Sequence, residues 1–317
     1  MPQKKKQHYI PRMILRNFSD NGYIYLCDVT NKKILNNSVP YKNQCQEDYM
    51  YGSDLLLENG LGKIENEASV IINRIISNNE FTQTDGSMLK NLIITQWLRT
   101  KGAAIRAQLG TTKTMLEICD DGGLQVDASI CVQEDNNLYK KIAADNVNFA
   151  INGELNTDGL ELCLLVNRTD TELIISDDPV VIGNEFQPNY GLGVECAGVY
   201  FFMPISPFHI LLLYDNKMYE LQRSELSVTD IQYLNNKQLK KAYKNLYARD
   251  RNSLVSIMDR FDAYLASTKL PPDVGRRSFP AGNNILKLNR EFVPYIDKCK
   301  FVFMRGNVNE WMVKGMF

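Results

Sequence analysis

The sequence predicts an α+β fold: a helical half, then a mostly antiparallel sheet, with the N-terminal segment lying across their junction. Three observations carry this. Apolar residues recur at helical spacing over residues 54–77 and again from 88 past 106. Short apolar runs at 160–167, 173–176, 199–207 and 210–214 are bounded by Gly, Pro, Asn and Asp, as strands are. Ahead of both stands Gln7-His8-Tyr9-Ile10-Pro11-Arg12, with one of only two histidines in the chain.

Taken in order, residues 8–18 show roughly helical spacing, with Pro11 suited to a first turn. His8 then falls just before that helix, near its positive end, which favours the neutral imidazole. Residues 23–29 read as a strand, 30–33 as a turn and 33–35 as the return of a hairpin. Residues 43–52 read as a polar, aromatic loop, in which Glu47 and Asp48 are solvated carboxylates or ligands. In the helix over 54–77, Leu61, Ile64, Ala68, Ile71, Ile72 and Ile75 form one stripe, and Glu65 sits on or beside it. A carboxylate there needs a partner. Two readings stay open for Glu65: an internal ion pair, or a catalytic acid, base or metal ligand.

Asp85 or Ser87 caps the next helix, which runs past Arg106 and, after a break, to about 120. Gln96 and Arg99 lie three apart on its apolar side, where Arg99 can pair with Glu65 or hold a phosphate or carboxylate. Residues 120–137 read as a loop and 138–151 as a helix. In the second half, Asn167 to Asp170 join two strands tightly, and Asp177 sits in a turn fixed by Pro179. His209 reads as a turn histidine. A last clear helix runs from 230 to about 249, with Asn235 near its inward face and lysines outside. Residues 252–267 read as helical, and the tail from 269 carries a possible strand at 301–304. The organisation expected is one unit over 1–250, with a helical part (54–151) and a sheet part (158–250). Residues 251–317 pack on it as a helix and tail.

Composition bounds the function classes. The chain of 317 residues is 44% hydrophobic and 23% charged, which suits a globular protein. A net charge of -1 offers no bulk attraction to nucleic acid or membrane. The seven cysteines have no C-x-x-C spacing and read as reduced thiols, so a cytoplasmic location is expected. No apolar run reaches membrane-spanning length. There is no P-loop, Rossmann glycine fingerprint, G-x-S-x-G elbow or H-E-x-x-H. Two histidines cannot make a His-rich zinc centre. Any metal would be hard, Mg²⁺ or Mn²⁺ on Asp and Glu.

Several motifs recur together. They are His8-Tyr9-Ile10-Pro11 with Phe18; Glu47 and Tyr51; Glu65; Gln96-x-x-Arg99-Thr100; Ser176-Asp177-x-Pro179-Val180; Pro204-x-Ser206-Pro207; and Asn235. In this order, over about residues 7–250, the chain resembles the mainly bacterial family called domain of unknown function 4238, marked by an H-Y-[VI]-P motif. Asp178 departs from the family's frequent Asn, and Ile205 from its frequent Leu. The resemblance implies that His8, Glu65, Gln96, Arg99 and Asp177 form one constellation.

Two functions follow as expectations. In the first, the protein is a metal-dependent hydrolase of phosphodiesters, nuclease-like, with nucleic acid or a nucleotide as partner. His8, Glu65 and Asp177 are catalytic, Glu65 and Asp177 hold the metal, and Arg12, Gln96 and Arg99 bind substrate. A toxin or phage-defence role is expected from the type of family alone. In the second, the same pocket binds an anionic small molecule, nucleotide or peptide without catalysis. A third role is structural, with Glu65–Arg99 and His8–Asp177 as internal pairs. No oligomeric state follows from the sequence.

Overall fold

The N-terminal segment enters the fold as a strand. β1 (Lys6–His8) pairs antiparallel with β5 (Gln46–Asp48), His8 opposite Gln46 and Gln7 opposite Glu47. The segment around Glu47 and Asp48 is therefore a strand end and not the loop the sequence suggests. Its pairing partner lies about forty residues away, outside any local pattern. In the computed structural model, residues 5–110, 138–153, 155–184, 193–221 and 223–261 are described, with the backbone of 276–281, 284–289 and 302–304.

α1 (Arg12–Asn17) follows, with Pro11 one position before its first residue. β2 (Tyr23–Asp28), β3 (Lys33–Ile34) and β4 (Val39–Pro40) form the expected hairpin and its exit. α2 (Leu56–Asn78) buries Leu61, Ile64, Ala68, Ile72 and Ile75, the predicted stripe except Ile71, which is half-buried. α3 (Gly86–Arg99) ends sooner than expected, at Thr100, whose backbone is extended. The helix restarts as α4 (101–110), because the Thr100 hydroxyl accepts the Ala103 N–H at 3.1 Å and so caps the new helix. The expected stretch beyond 110 and the loop to 137 lie outside the described residues. α5 (Leu138–Ile151) matches its predicted span.

β6 (Leu160–Asn167), β9 (Val199–Ser206) and β10 (His209–Asp215) form the middle of the main sheet. β8 (Val181–Asn184) and β12 (Glu225–Leu226) lie at its edges, and only the β12–β6 pairing is parallel. β7 (Ile175–Ser176) is the correction. It does not pair with β6 as a tight hairpin; it joins β13 (Asn245–Ala248), which pairs in turn with β2. The cause is α6 (Val228–Lys241), whose side chains take the backbone groups of this segment. Asn235 Oδ1 accepts the Ile174 N–H, and Gln238 Oε1 accepts the Ser176 N–H.

β13 also replaces the predicted end of the last helix. α6 stops at Lys241, not near Arg249, and the chain turns back into a strand. α7 (Arg251–Met258) follows. β11 (Tyr219–Leu221) pairs with a strand in the tail, Val302–Met304, and Arg276–Ala281 pairs with Asn284–Asn289.

One apolar core joins both halves. It includes Ile10, Ile14, Leu15 and Phe18 from the N-terminal segment, Ile64 and Ile72 from α2, and Phe201, Phe202 and Leu211 from the main sheet. A smaller cluster around Cys27, Leu246, Leu254 and Ile257 lies between the second sheet and α7. The fold class is thus α+β, with the N-terminal segment held by both halves. Asn17 Nδ2 donates to the Ile205 carbonyl of the sheet, and Arg99 holds the His8 carbonyl from the helical side. No helix among the described residues is long and apolar enough to cross a membrane.

Candidate functional site

The motif segment is pinned through its backbone. Gln7 is fully buried; its Nε2 donates to the Gly52 carbonyl at 2.8 Å and its Oε1 accepts the Tyr51 N–H at 2.6 Å. The Tyr9 N–H donates to the Cys45 carbonyl, and Gln96 Nε2 donates to the Tyr9 carbonyl, both at 2.9 Å. Arg99, only 2% exposed, donates from Nη2 to the His8 carbonyl at 2.5 Å and from Nη1 to Glu65 Oε1 at 2.6 Å. Its own carbonyl is left without a helical partner by the break at Thr100, and Tyr51 Oη donates to it at 2.8 Å. Burial works against the charge of Arg99, but Tyr51 and Glu65 outweigh it and keep the guanidinium protonated. Burial pushes the Tyr51 hydroxyl up to about 12 against the pull of Arg99.

One guanidinium therefore bridges the His8 backbone and the Glu65 carboxylate. Of the two readings for Glu65, the ion pair is what the geometry contains. Arg99 and Gln96, expected to meet substrate, meet main-chain carbonyls.

The His8 ring is placed separately. Its Nε2 lies 3.0 Å from the Lys42 carbonyl, which can only accept, so the neutral ring carries its hydrogen there. Nδ1 keeps its lone pair and has no hydrogen-bond partner among the described residues. Burial lowers the pKa of His8, with Arg12 and Arg99 adding to it, against the Lys42 carbonyl and Glu65. The neutral form expected from a helix terminus is thus favoured here by burial and two guanidinium groups. His8 is half-buried, Arg12 is exposed, and the Glu65 side chain is 25% exposed. This corner opens to solvent.

Asp177 lies elsewhere. It is 2% exposed; Oδ1 accepts the Tyr243 N–H at 2.8 Å, and Oδ2 accepts those of Lys244 and Asn245 at 2.9 and 3.0 Å. Burial raises its pKa to about 6, helped by Asp178 and opposed by the three amides. Its hydrogen bonds reach neither His8 nor Glu65. Its charge is felt by Tyr9, by the buried Cys45 against which Tyr9 packs, and by Tyr247. The Cys45 thiol contacts the Tyr247 hydroxyl at 3.4 Å.

A metal on Glu65 and Asp177 does not fit this donor set. Glu65 is paired with Arg99, and Asp177 is filled by three amides behind the surface. Among the described residues, no group of three or more His, Cys, Asp or Glu side chains could hold a metal ion.

Asp178 is the residue that sequence reasoning passed over. Fully buried, it accepts the Thr100 hydroxyl at 2.9 Å, forms an ion pair with Arg106, and lies 3.4 Å from Lys241 Nζ. Gln238 was also missed; it takes Ser176 through Oε1 and donates from Nε2 to the Pro179 carbonyl at 2.7 Å. Its signal was present, three residues after Asn235 on the same inward face. His209 is more than a turn residue. Its Nδ1 lies 2.8 Å from Ser206 Oγ and its Nε2 2.8 Å from Asn79 Oδ1, tying the sheet to the end of α2.

The fold and site define an α+β protein whose N-terminal histidine motif is clamped by an internal arginine on α3. The chain belongs to the family described as Protein of unknown function (DUF4238), whose model matches residues 6–252. No curated protein and no solved structure matches it.

Proposed function

We propose that the protein is a hydrolase of phosphodiesters, nuclease-like, with His8 as its general base. The supporting observation is the His8 ring: Nε2 is committed to the Lys42 carbonyl, Nδ1 has no hydrogen-bond partner among the described residues, and the half-buried ring feels the charges of Glu65 and the exposed Arg12. A base needs an available lone pair at neutral pH, and burial provides the low pKa that supplies it. Arg12 is the exposed guanidinium able to take a phosphate oxygen. Glu65 stabilises the imidazolium formed when His8 accepts a proton, much as a carboxylate does beside other catalytic histidines. Asp177 and Arg99 act as positioning groups in this reading, and no step passes through a metal.

A second reading is a binding site for an anionic ligand at the same corner. It is favoured by Gln96 Nε2, Arg99 Nη2 and the Asp177 carboxylate, which serve the backbone and leave a small reactive set. Turnover separates the two. Wild-type protein is expected to cleave an oligonucleotide, with His8→Ala reducing kcat at least ~100-fold and Arg12→Ala raising KM. Saturable binding of a phosphodiester without turnover would replace the hydrolase with the binding protein.

A further inference from the structure

We infer that the bond broken lies in RNA and that the attacking group is the adjacent 2′-hydroxyl; this rests on the hydrolase reading above. The donor set selects the nucleophile. A phosphodiester attacked by free water needs that water strongly activated, commonly by a metal or by several convergent carboxylates. Among the carboxylates singled out by the motifs, Glu47 pairs with Lys101, Asp177 takes three amides, Asp178 takes Thr100, Arg106 and Lys241, and Glu65 gives one oxygen to Arg99. Among the described residues, what this corner offers is one neutral imidazole, one exposed guanidinium, and the carboxylate edge of Glu65 not used by Arg99. A tethered nucleophile suits such a set. An internal hydroxyl already held beside the phosphorus brings a large effective concentration, on the order of 10⁵ M or more. It then needs only a base and a charge partner.

The step balances as follows. The 2′-oxygen bonds to phosphorus while its proton passes to Nδ1 of His8. The bond from phosphorus to the 5′-oxygen breaks. That oxygen takes a proton from water, and the hydroxide left behind takes the proton of the imidazolium, so His8 returns to its neutral form. The products are a 2′,3′-cyclic phosphate and a free 5′-hydroxyl. Arg12 faces the charge on the non-bridging oxygens, and Glu65 faces the imidazolium. The Lys42 carbonyl holds Nε2–H throughout, which keeps the reactive lone pair on Nδ1.

Three labelled oligonucleotides of one sequence test this with the full chain in buffer containing a chelator: all-RNA, all-DNA, and DNA with a single ribonucleotide. The expected result is cleavage of the RNA, and cleavage of the mixed strand only on the 3′ side of its ribonucleotide. The fragment should end in a 2′,3′-cyclic phosphate, with the all-DNA strand cut at least ~100-fold more slowly. His8→Gln, whose amide can still donate to the Lys42 carbonyl, should lose cleavage while keeping its melting temperature. Comparable cleavage of DNA and RNA, or products bearing a 5′-phosphate, would overturn the 2′-hydroxyl route while leaving the hydrolase standing. No cleavage of any strand would overturn both.

Discussion

At the scale of residues, the polar side chains of the motifs divide into clamps and one free group. Arg99 is the principal clamp. Truncating one partner of a buried pair leaves the other charge unpaired, at about 3–5 kcal/mol, and Arg99→Ala also strips the His8 carbonyl of its donor. Denaturant unfolding should show a loss in that range. Asp177 gives a pH-dependent signature. Its folded pKa of about 6 lies above the 3.8 of a free carboxyl. The protonated form is thus favoured by folding, and the stability it contributes is complete below about pH 4 and lost as pH rises through 6. The loss amounts to about 3 kcal/mol in all, at ~1.36 kcal/mol per pKa unit. Unfolding curves of wild type and Asp177→Asn should therefore differ by an amount that moves about 2 kcal/mol in the variant's favour between pH 4 and pH 7. A difference independent of pH would contradict the burial argument. For His8, the lowered pKa places the acid limb of a kcat/KM profile below the 6.5 of an unperturbed imidazole. A limb at or above 6.5 would mean another group is the base.

At the scale of elements, breaks in regular structure bring distant groups together. Thr100 interrupts the helix that carries Arg99, and its hydroxyl both caps α4 and reaches Asp178. α6 gives way to β13 because the three amides at 243–245 are taken by Asp177. Gly102 marks how closely these pieces approach. A Cβ there would lie 2.9 Å from Tyr243 Cβ and 3.2 Å from both Asp178 Oδ2 and Arg106 Nη1. In an open helix Gly→Ala is favourable by about 1 kcal/mol. Here Gly102→Ala should instead destabilise, by about 1–3 kcal/mol, as thermal unfolding would show. The helices of α2 and α5 were legible in the sequence because a 3.6-residue pattern is local and repeats several times. β6 and β9 were legible as mainly apolar runs of strand length. The pairing of β7 with β13 was not, since Asn235 and Gln238 set it from sixty residues away. The strand at Glu47 was hidden for the same reason: its partner is the three-residue β1.

At the scale of the molecule, the N-terminal segment is a strap between the helical half and the sheet. Ile10, Ile14, Leu15 and Phe18 enter the shared core, while Gln7 is held through its side chain and His8 and Tyr9 through their backbone carbonyls. The importance of this segment could be read from His8-Tyr9-Ile10-Pro11 alone, and Arg99–Glu65 from helical spacing. The role of Asp177 could not, because a turn carboxylate clamping a remote loop looks the same in sequence as one facing substrate. The central claim is a division of labour: the backbone of the motif serves the fold, and the His8 ring serves the chemistry. Melting temperature and RNA cleavage rate, measured side by side for His8→Gln and Arg99→Ala, test it most directly. The account predicts that His8→Gln melts with wild type yet loses at least ~100-fold in rate, whereas Arg99→Ala melts well below both. His8→Gln that cleaves at the wild-type rate, or that unfolds as readily as Arg99→Ala, would contradict it.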